Sequence, residues 1–170
     1  MIMSEKAYLS LGSNIGDREA NLAGAITILE EYTEIDKLRS ASFYTSEPLF
    51  NSDQPEYLNT VVEINTTFTP FEFLDEIKNI ENLLGRPVNH EKNAPRTIDI
   101  DILTFGDSFL ETEELVIPHP GIPFRRFVLV PFDELAPNYI VPSWKITIKE
   151  LLEHCPDKSK VLKHIIESNA

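Results

Sequence analysis

Apolar and small or polar side chains alternate through Ala7-Tyr8-Leu9-Ser10-Leu11, which predicts a strand, and Gly12-Ser13-Asn14 predicts the turn that ends it. The period then changes. Asp17 is placed to cap a helix, and Leu22, Ala25, Ile26 and Leu29 recur at helical spacing as far as Tyr32. Leu38 to Thr45 and Tyr57 to Thr66 are rich in β-branched and aromatic residues and predict two more strands. The stretch from Ser46 to Glu56 between them holds two prolines and an Asn-Ser-Asp cluster, a long connection of the kind that often carries function.

Thr69-Pro70-Phe71-Glu72 opens a second helix, with Thr69 as cap, Pro70 in the first turn and Glu72 completing a capping box. Its core face is Phe73, Leu74, Ile77, Ile80 and Leu84, and Gly85 ends it. Arg86 to Pro95 has little apolar content and no period, as expected of a loop that closes over a site. Thr97 to Leu103 returns to period two, with isoleucines on one face and Asp99 and Asp101 on the other. Phe105-Gly106-Asp107-Ser108 and Leu115 to Pro120 predict a short hairpin. Phe127 to Phe132 is an apolar run, Asp133 to Pro137 a helical turn, and the amphipathic tail from Thr147 to Ile166 reads as two short helices covering the sheet.

Strand, helix, strand, strand, helix, strand is the split βαβ order of a ferredoxin-like α+β sandwich. It predicts an antiparallel sheet with both helices packed on one face and a C-terminal helical extension. Composition fits a single domain over 1–170, with 42% hydrophobic residues. Cys155 is the sole cysteine, with no partner for a disulfide and no metal-ligand spacing. No charged n-region precedes an apolar stretch, and no segment approaches the ~20 apolar residues that span a bilayer, so a soluble cytoplasmic protein is expected. The net charge of −13 repels polyanions and sets nucleic-acid binding at a disadvantage.

Against that charge, Arg86, Lys92, Arg96, Arg125 and Arg126 fall in predicted loops and element ends, either as solvated surface groups or as an anion site. Alternation sets Asp99 and Asp101 side by side, about 7 Å apart along the strand. Taken alone, they fit an exposed edge strand as well as a metal site. With Arg96 and Arg86 nearby, the set describes a metal-bound polyphosphate, each charge offsetting another. His119, held extended between two prolines, is either a phosphate or ribose donor or a structural histidine.

Several segments together resemble the 6-hydroxymethyl-7,8-dihydropterin pyrophosphokinase family of folate biosynthesis. They are Leu11-Gly12-Ser13-Asn14, Ser42-Phe43-Tyr44, Asp53 to Asn59, Pro95 to Leu103 and Ile117-Pro118-His119-Pro120. The resemblance implies a ferredoxin-like fold, ATP as donor, two Mg²⁺ ions, and transfer of pyrophosphate to the pterin hydroxymethyl group with release of AMP. It makes Asp99 and Asp101 the metal ligands and Arg86 and Arg96 the phosphate contacts that complete the catalytic set. Tyr57 and Phe127 would hold the pterin ring, Asn59 its edge, and backbone groups at Ser46 and Leu49 would finish that edge. Glu81, Ile102, His119 and Arg125 would join Arg86 and Arg96 in contacting the nucleotide. Asp99 is further expected to orient the attacking hydroxyl or accept its proton.

The implied partners are small molecules, the pterin and ATP, with neither nucleic acid nor membrane. A monomer is expected, and association with other folate-pathway enzymes is left open. This sequence departs from the family where Val88 and Asn93 stand in place of an arginine and a tryptophan of the closing loop, and where Glu114 replaces another arginine. Weaker ATP affinity is expected for that reason. The alternative reading is a ferredoxin-like nucleic-acid or regulatory binding module without catalysis, since many such domains bind RNA on an open sheet face.

Overall fold

The computed structural model describes residues 3–47, 55–85 and 97–165. Strand β1 (Glu5–Ser13) leads into α1 (Arg18–Glu31), whose first turn is closed by Asp17 accepting from the Ala20 N–H at 3.1 Å. Two strands follow, β2 (Ile35–Ser40) and β3 (Tyr44–Ser46), where the sequence predicts one. The break has a visible cause. The Ala41 N–H still reaches the Val61 carbonyl on the neighbouring strand, but the Ser42 N–H turns away to Glu134 at 2.8 Å.

Strand β4 (Tyr57–Thr66) pairs with β1, β2 and β3, and α2 (Pro70–Leu83) carries the expected capping box between Thr69 and Glu72. Next come β5 (Asp99–Phe105) and the hairpin β6 (Leu110–Glu111) and β7 (Val116–Ile117), all as expected in kind. The chain closes with α3 (Arg126–Leu135), α4 (Ile148–Glu153) and β8 (Val161–Lys163). The main sheet runs in the order β5-β1-β4-β3-β8, with β2 beside β4, and every pairing in it is antiparallel.

Two expectations about the C-terminal third are corrected. The apolar run 127–132 is the body of α3 and not a segment before a single helical turn; Pro131 is tolerated inside it. Among the described residues there is no second tail helix: beyond α4 the chain forms β8 and hydrogen-bonds to the open edge of β3, a tertiary pairing that overrides the local helical pattern.

Both faces of the sheet are covered. Leu22, Ala25 and Leu29 of α1 and Phe73, Ile77 and Ile80 of α2 pack on Leu9, Leu11, Val62, Ile100 and Ile102, so these two helices do share one face. On the other face Val128, Leu129 and Phe132 of α3, with Ile148 and Leu151 of α4, pack on Tyr8, Val61 and Leu103. The α3 layer therefore lies over the side where an aromatic RNA-binding face would have to be.

Candidate active site

The register across the sheet assembles the site. Asp99 on β5 stands opposite Gly12 on β1, Gly12 opposite Asn59 on β4, and Asn59 opposite Tyr44 on β3. Directly opposed residues share a face, and here it is the α3 face, because Tyr44 donates its hydroxyl to Glu134 of α3 at 2.6 Å. Asp101 lies one row deeper, opposite Ser10. Both aspartates are partly exposed, while the flanking Ile98, Ile100 and Ile102 are buried in the α1–α2 layer.

Gly12 is the residue that the sequence reading misplaced. It is not part of a turn: β1 continues to Ser13, and Gly12 is its second-last residue, paired on both sides, between a carboxylate and an amide. A Cβ at Gly12 would stand 3.0 Å from Asn59 Oδ1 and 3.6 Å from Tyr57 Cδ1. Among the described residues the missing side chain thus leaves a trough about 10 Å across, two strand spacings, from Asp99 to Asn59. A glycine inside an alternating strand was the available signal.

One wall of the trough is polar and rigid. Asn59 and Ser46 are both buried, and the Asn59 carboxamide donates to Ser46 Oγ at 2.6 Å. That bond fixes the amide and leaves Oδ1 turned toward the space over Gly12. Tyr57, two residues before Asn59 on the same face, is partly exposed beside it. Phe127 occupies the first turn of α3, and the Arg125 guanidinium lies 6.0 Å from the centroid of its ring. Arg125 is itself packed across the bare backbone of Gly121, where a Cβ would come within 2.6 Å of Nε.

Among the described residues the strand carrying the aspartates lies at the end of the sheet and pairs with β1 alone, yet its outer edge is not bare. Glu81 reaches from α2 to accept the Ile100 N–H at 3.0 Å, and the Leu103 carbonyl accepts the His119 N–H at 2.8 Å. A buried carboxylate and a proline-flanked segment replace the missing neighbour strand. Ile102 shares the outward register of Ile100, so its N–H and C=O point along the same edge while its side chain stays in the core.

His119 Nδ1 accepts the Gly121 N–H at 2.9 Å, so in the neutral ring the proton resides on Nε2. Burial, reinforced by the charge of Arg125 and opposed by that of Asp99, pushes the imidazole pKa down to about 4. The ring is therefore a neutral donor at physiological pH. Asp99, His119 and Arg125 thus act on one another across a single region.

Leu49, Arg86 and Arg96, with Val88 and Asn93, lie outside the described residues. Glu114 is exposed in the hairpin turn that Thr112 and Leu115 close. Among the described residues no group of three or more His, Cys, Asp or Glu forms a metal cage. Two partly exposed carboxylates on one strand face nevertheless suit Mg²⁺, which takes one or two protein ligands and completes its shell with phosphate oxygens and water. An open groove of about 460 Å³, lined by Asn14, Ile15, Gly16, Arg18, Pro55 and Glu56, lies beyond the end of β1 and was not foreseen. Arg18 donates to the Glu56 carbonyl at 2.8 Å across it.

A profile of the 7,8-dihydro-6-hydroxymethylpterin-pyrophosphokinase (HPPK) family matches residues 8–137. The chain belongs to this family. It is 43% identical over 134 residues to the 2-amino-4-hydroxy-6-hydroxymethyldihydropteridine pyrophosphokinase of Bacillus subtilis (strain 168), covering 79% of this chain and 80% of the relative. To the Haemophilus influenzae enzyme of the same name it is 37% identical over 155 residues, covering 91% of this chain and 96% of the relative. The wild-type HPPK-DHPS of Plasmodium falciparum superposes with a TM-score of 0.70 at 18% identity, over 89% of this chain and 41% of that one. The last likeness speaks for the ferredoxin-like fold, and this chain spans less than half of that protein. The family match bears out the resemblance read from the sequence motifs.

Proposed function

We propose that this chain transfers the terminal pyrophosphoryl group of ATP to the hydroxymethyl oxygen of 6-hydroxymethyl-7,8-dihydropterin, releasing AMP, as a step of folate biosynthesis. The hydroxymethyl oxygen attacks the β-phosphorus, the bond from Pβ to the oxygen bridging it to Pα breaks so that this oxygen leaves on AMP, and the hydroxyl proton leaves to Asp99 or to solvent. The observation that carries this reading is the trough over Gly12, with the Asp99 and Asp101 carboxylates at one end and the Ser46-fixed amide of Asn59 at the other.

In this reading Tyr57 and Phe127 take the two faces of the pterin, and Asn59, with backbone groups at Ser46 and Leu49, pairs with its edge. Asp99 and Asp101 hold two Mg²⁺ ions, which when bound supply neutralisation of the polyphosphate charge. Arg86 and Arg96 contact the phosphates. His119 offers its Nε2–H to a phosphate oxygen, Arg125 adds charge, and the outward backbone of Ile102 reads the adenine edge. Glu81 supports the nucleotide through the strand that it holds. Alignment of the reacting groups and charge compensation then supply most of the rate. The protein works in the cytoplasm as a monomer, open to association with other folate-pathway enzymes.

The test is incubation with ATP, Mg²⁺ and hydroxymethyldihydropterin, followed by separation of the nucleotides. One AMP per pterin diphosphate is the expected result, and D101N lowers kcat by ~10²-fold or more, the scale of losing a positioned charge-stabilising group. ADP in place of AMP, or AMP formed equally without pterin, overturns the proposal.

A further inference from the structure

Helix α3 begins without help from its own sequence. Arg125 occupies the N-cap position and its side chain makes no capping bond. The Arg126 N–H is instead accepted by Asp157 Oδ2 at 3.1 Å, from 31 residues further along the chain. The second oxygen of the same carboxylate accepts the Ser159 N–H at 2.9 Å, which turns the chain toward β8. β8 then pairs with β3 in the register Val161 to Ser46, Leu162 to Thr45 and Lys163 to Tyr44, and the His164 N–H continues the ladder to the Phe43 carbonyl at 2.8 Å. His164 also pairs with Glu19 in the first turn of α1.

Eight residues, Asp157 to His164, therefore tie the first turn of α3 to the strand that carries Ser46. At one end they hold the helix turn that presents Phe127, and at the other they hold the strand whose Ser46 fixes Asn59. Lys163, 3.8 Å from Glu134, adds a link to the carboxylate that joins Tyr44 and Ser42 to α3. We propose that Asp157 is a positioning residue for pterin binding: by accepting the Arg126 N–H it sets the first turn of α3, and with it Phe127, at the separation from Asn59 that the ring requires.

The proposal rests on the reading of Phe127 as a pterin wall. Arg125 is less dependent on the same anchor, because its guanidinium is separately packed over Gly121. Loss of Asp157 accordingly acts on the pterin side more than on the nucleotide side.

The experiment compares the wild-type chain with D157A and D157N. It measures KM for pterin and for ATP, kcat, pterin affinity by fluorescence, and amide exchange at Arg126 and Phe127. Removal of a helix cap predicts that D157A raises the pterin KM roughly fivefold to tenfold, with kcat and the ATP KM held within about twofold and faster exchange at both amides. Asparagine keeps one acceptor for the Arg126 N–H, so D157N falls between D157A and wild type and also serves if D157A does not fold. A pterin KM unchanged in both variants, or equal losses in kcat and both KM values, overturns the proposal. Failure of the wild-type chain to bind pterin removes the reading of Phe127 and the proposal with it, an outcome visible before any variant is made.

Discussion

Gly12→Ala isolates the trough from the rest of the fold. The added Cβ would stand 3.0 Å from Asn59 Oδ1, inside the 3.4 Å at which ordinary contact begins. Asn59 has little room to yield, since it is 2% exposed and its amide is tied to Ser46 at 2.6 Å. Moving it by a few tenths of an ångström strains that bond, and a buried amide left unsatisfied costs about 1–3 kcal/mol. Alanine in a strand is otherwise favoured over glycine by about 0.5–1 kcal/mol, so the two effects oppose each other in stability. In pterin binding they do not, because the same amide must be displaced. The expected outcome is a pterin Kd weakened roughly 5-fold to 30-fold with a melting temperature close to wild type. Equilibrium titration of pterin fluorescence reads the first and thermal denaturation the second. If the effect passes through Asn59, Gly12→Ala costs less on a Ser46→Ala background, where the amide is already released, than on the wild type. Pterin affinity within about twofold of wild type, or strict additivity in that cycle, refutes the reasoning.

Two further outcomes follow from the outer edge of β5. Glu81→Ala strands the buried Ile100 N–H and lowers stability by about 1–3 kcal/mol, while Glu81→Gln, which keeps an acceptor oxygen, recovers most of it; denaturant titration followed through Trp144, the only tryptophan, measures both. His119, held neutral in the fold with its pKa at about 4 against 6.5 when unfolded, contributes stability that is present above pH 6.5 and lost as pH falls toward 4. Without nucleotide or metal that loss is about 2 kcal/mol at pH 5 relative to pH 8. It is read as the difference between wild type and His119→Gln, which lacks the titration, and equal pH profiles would show that the ring is not buried as described.

The split βαβ order, the caps at Asp17 and Thr69 and the shared face of Asp99 and Asp101 were legible because each is a short-range pattern. Alternation, capping and helical spacing are properties of neighbours in sequence. Four features were not legible for a common reason, namely that distant partners decide them. Phe127 to Phe132 is apolar on every side, so no period distinguishes a buried helix from a strand, and packing on Val61 and Tyr8 sustains the helix with Pro131 inside it. β8 is extended because β3 offers it a ladder. Gly12 reads as a turn residue beside Ser13 and Asn14, and only the register with Asp99 and Asn59 reveals a gap in the face of a strand. Glu81 was singled out by family resemblance for the nucleotide, whereas its bond to Ile100 is a matter of tertiary geometry that no spacing announces.

The substitution of Glu81 and the His119 segment for a neighbouring strand has a bearing on colloidal behaviour. A strand at the rim of a sheet is a template for any other chain in extended form. Here the rim strand is also the one that bears both aspartates, so the groups that quench its adhesiveness are the ones that keep its carboxylates in register. Damage at that rim therefore couples two failures usually regarded as separate, self-association and loss of turnover, and a preparation that has begun to aggregate through this edge has already lost the geometry of its site.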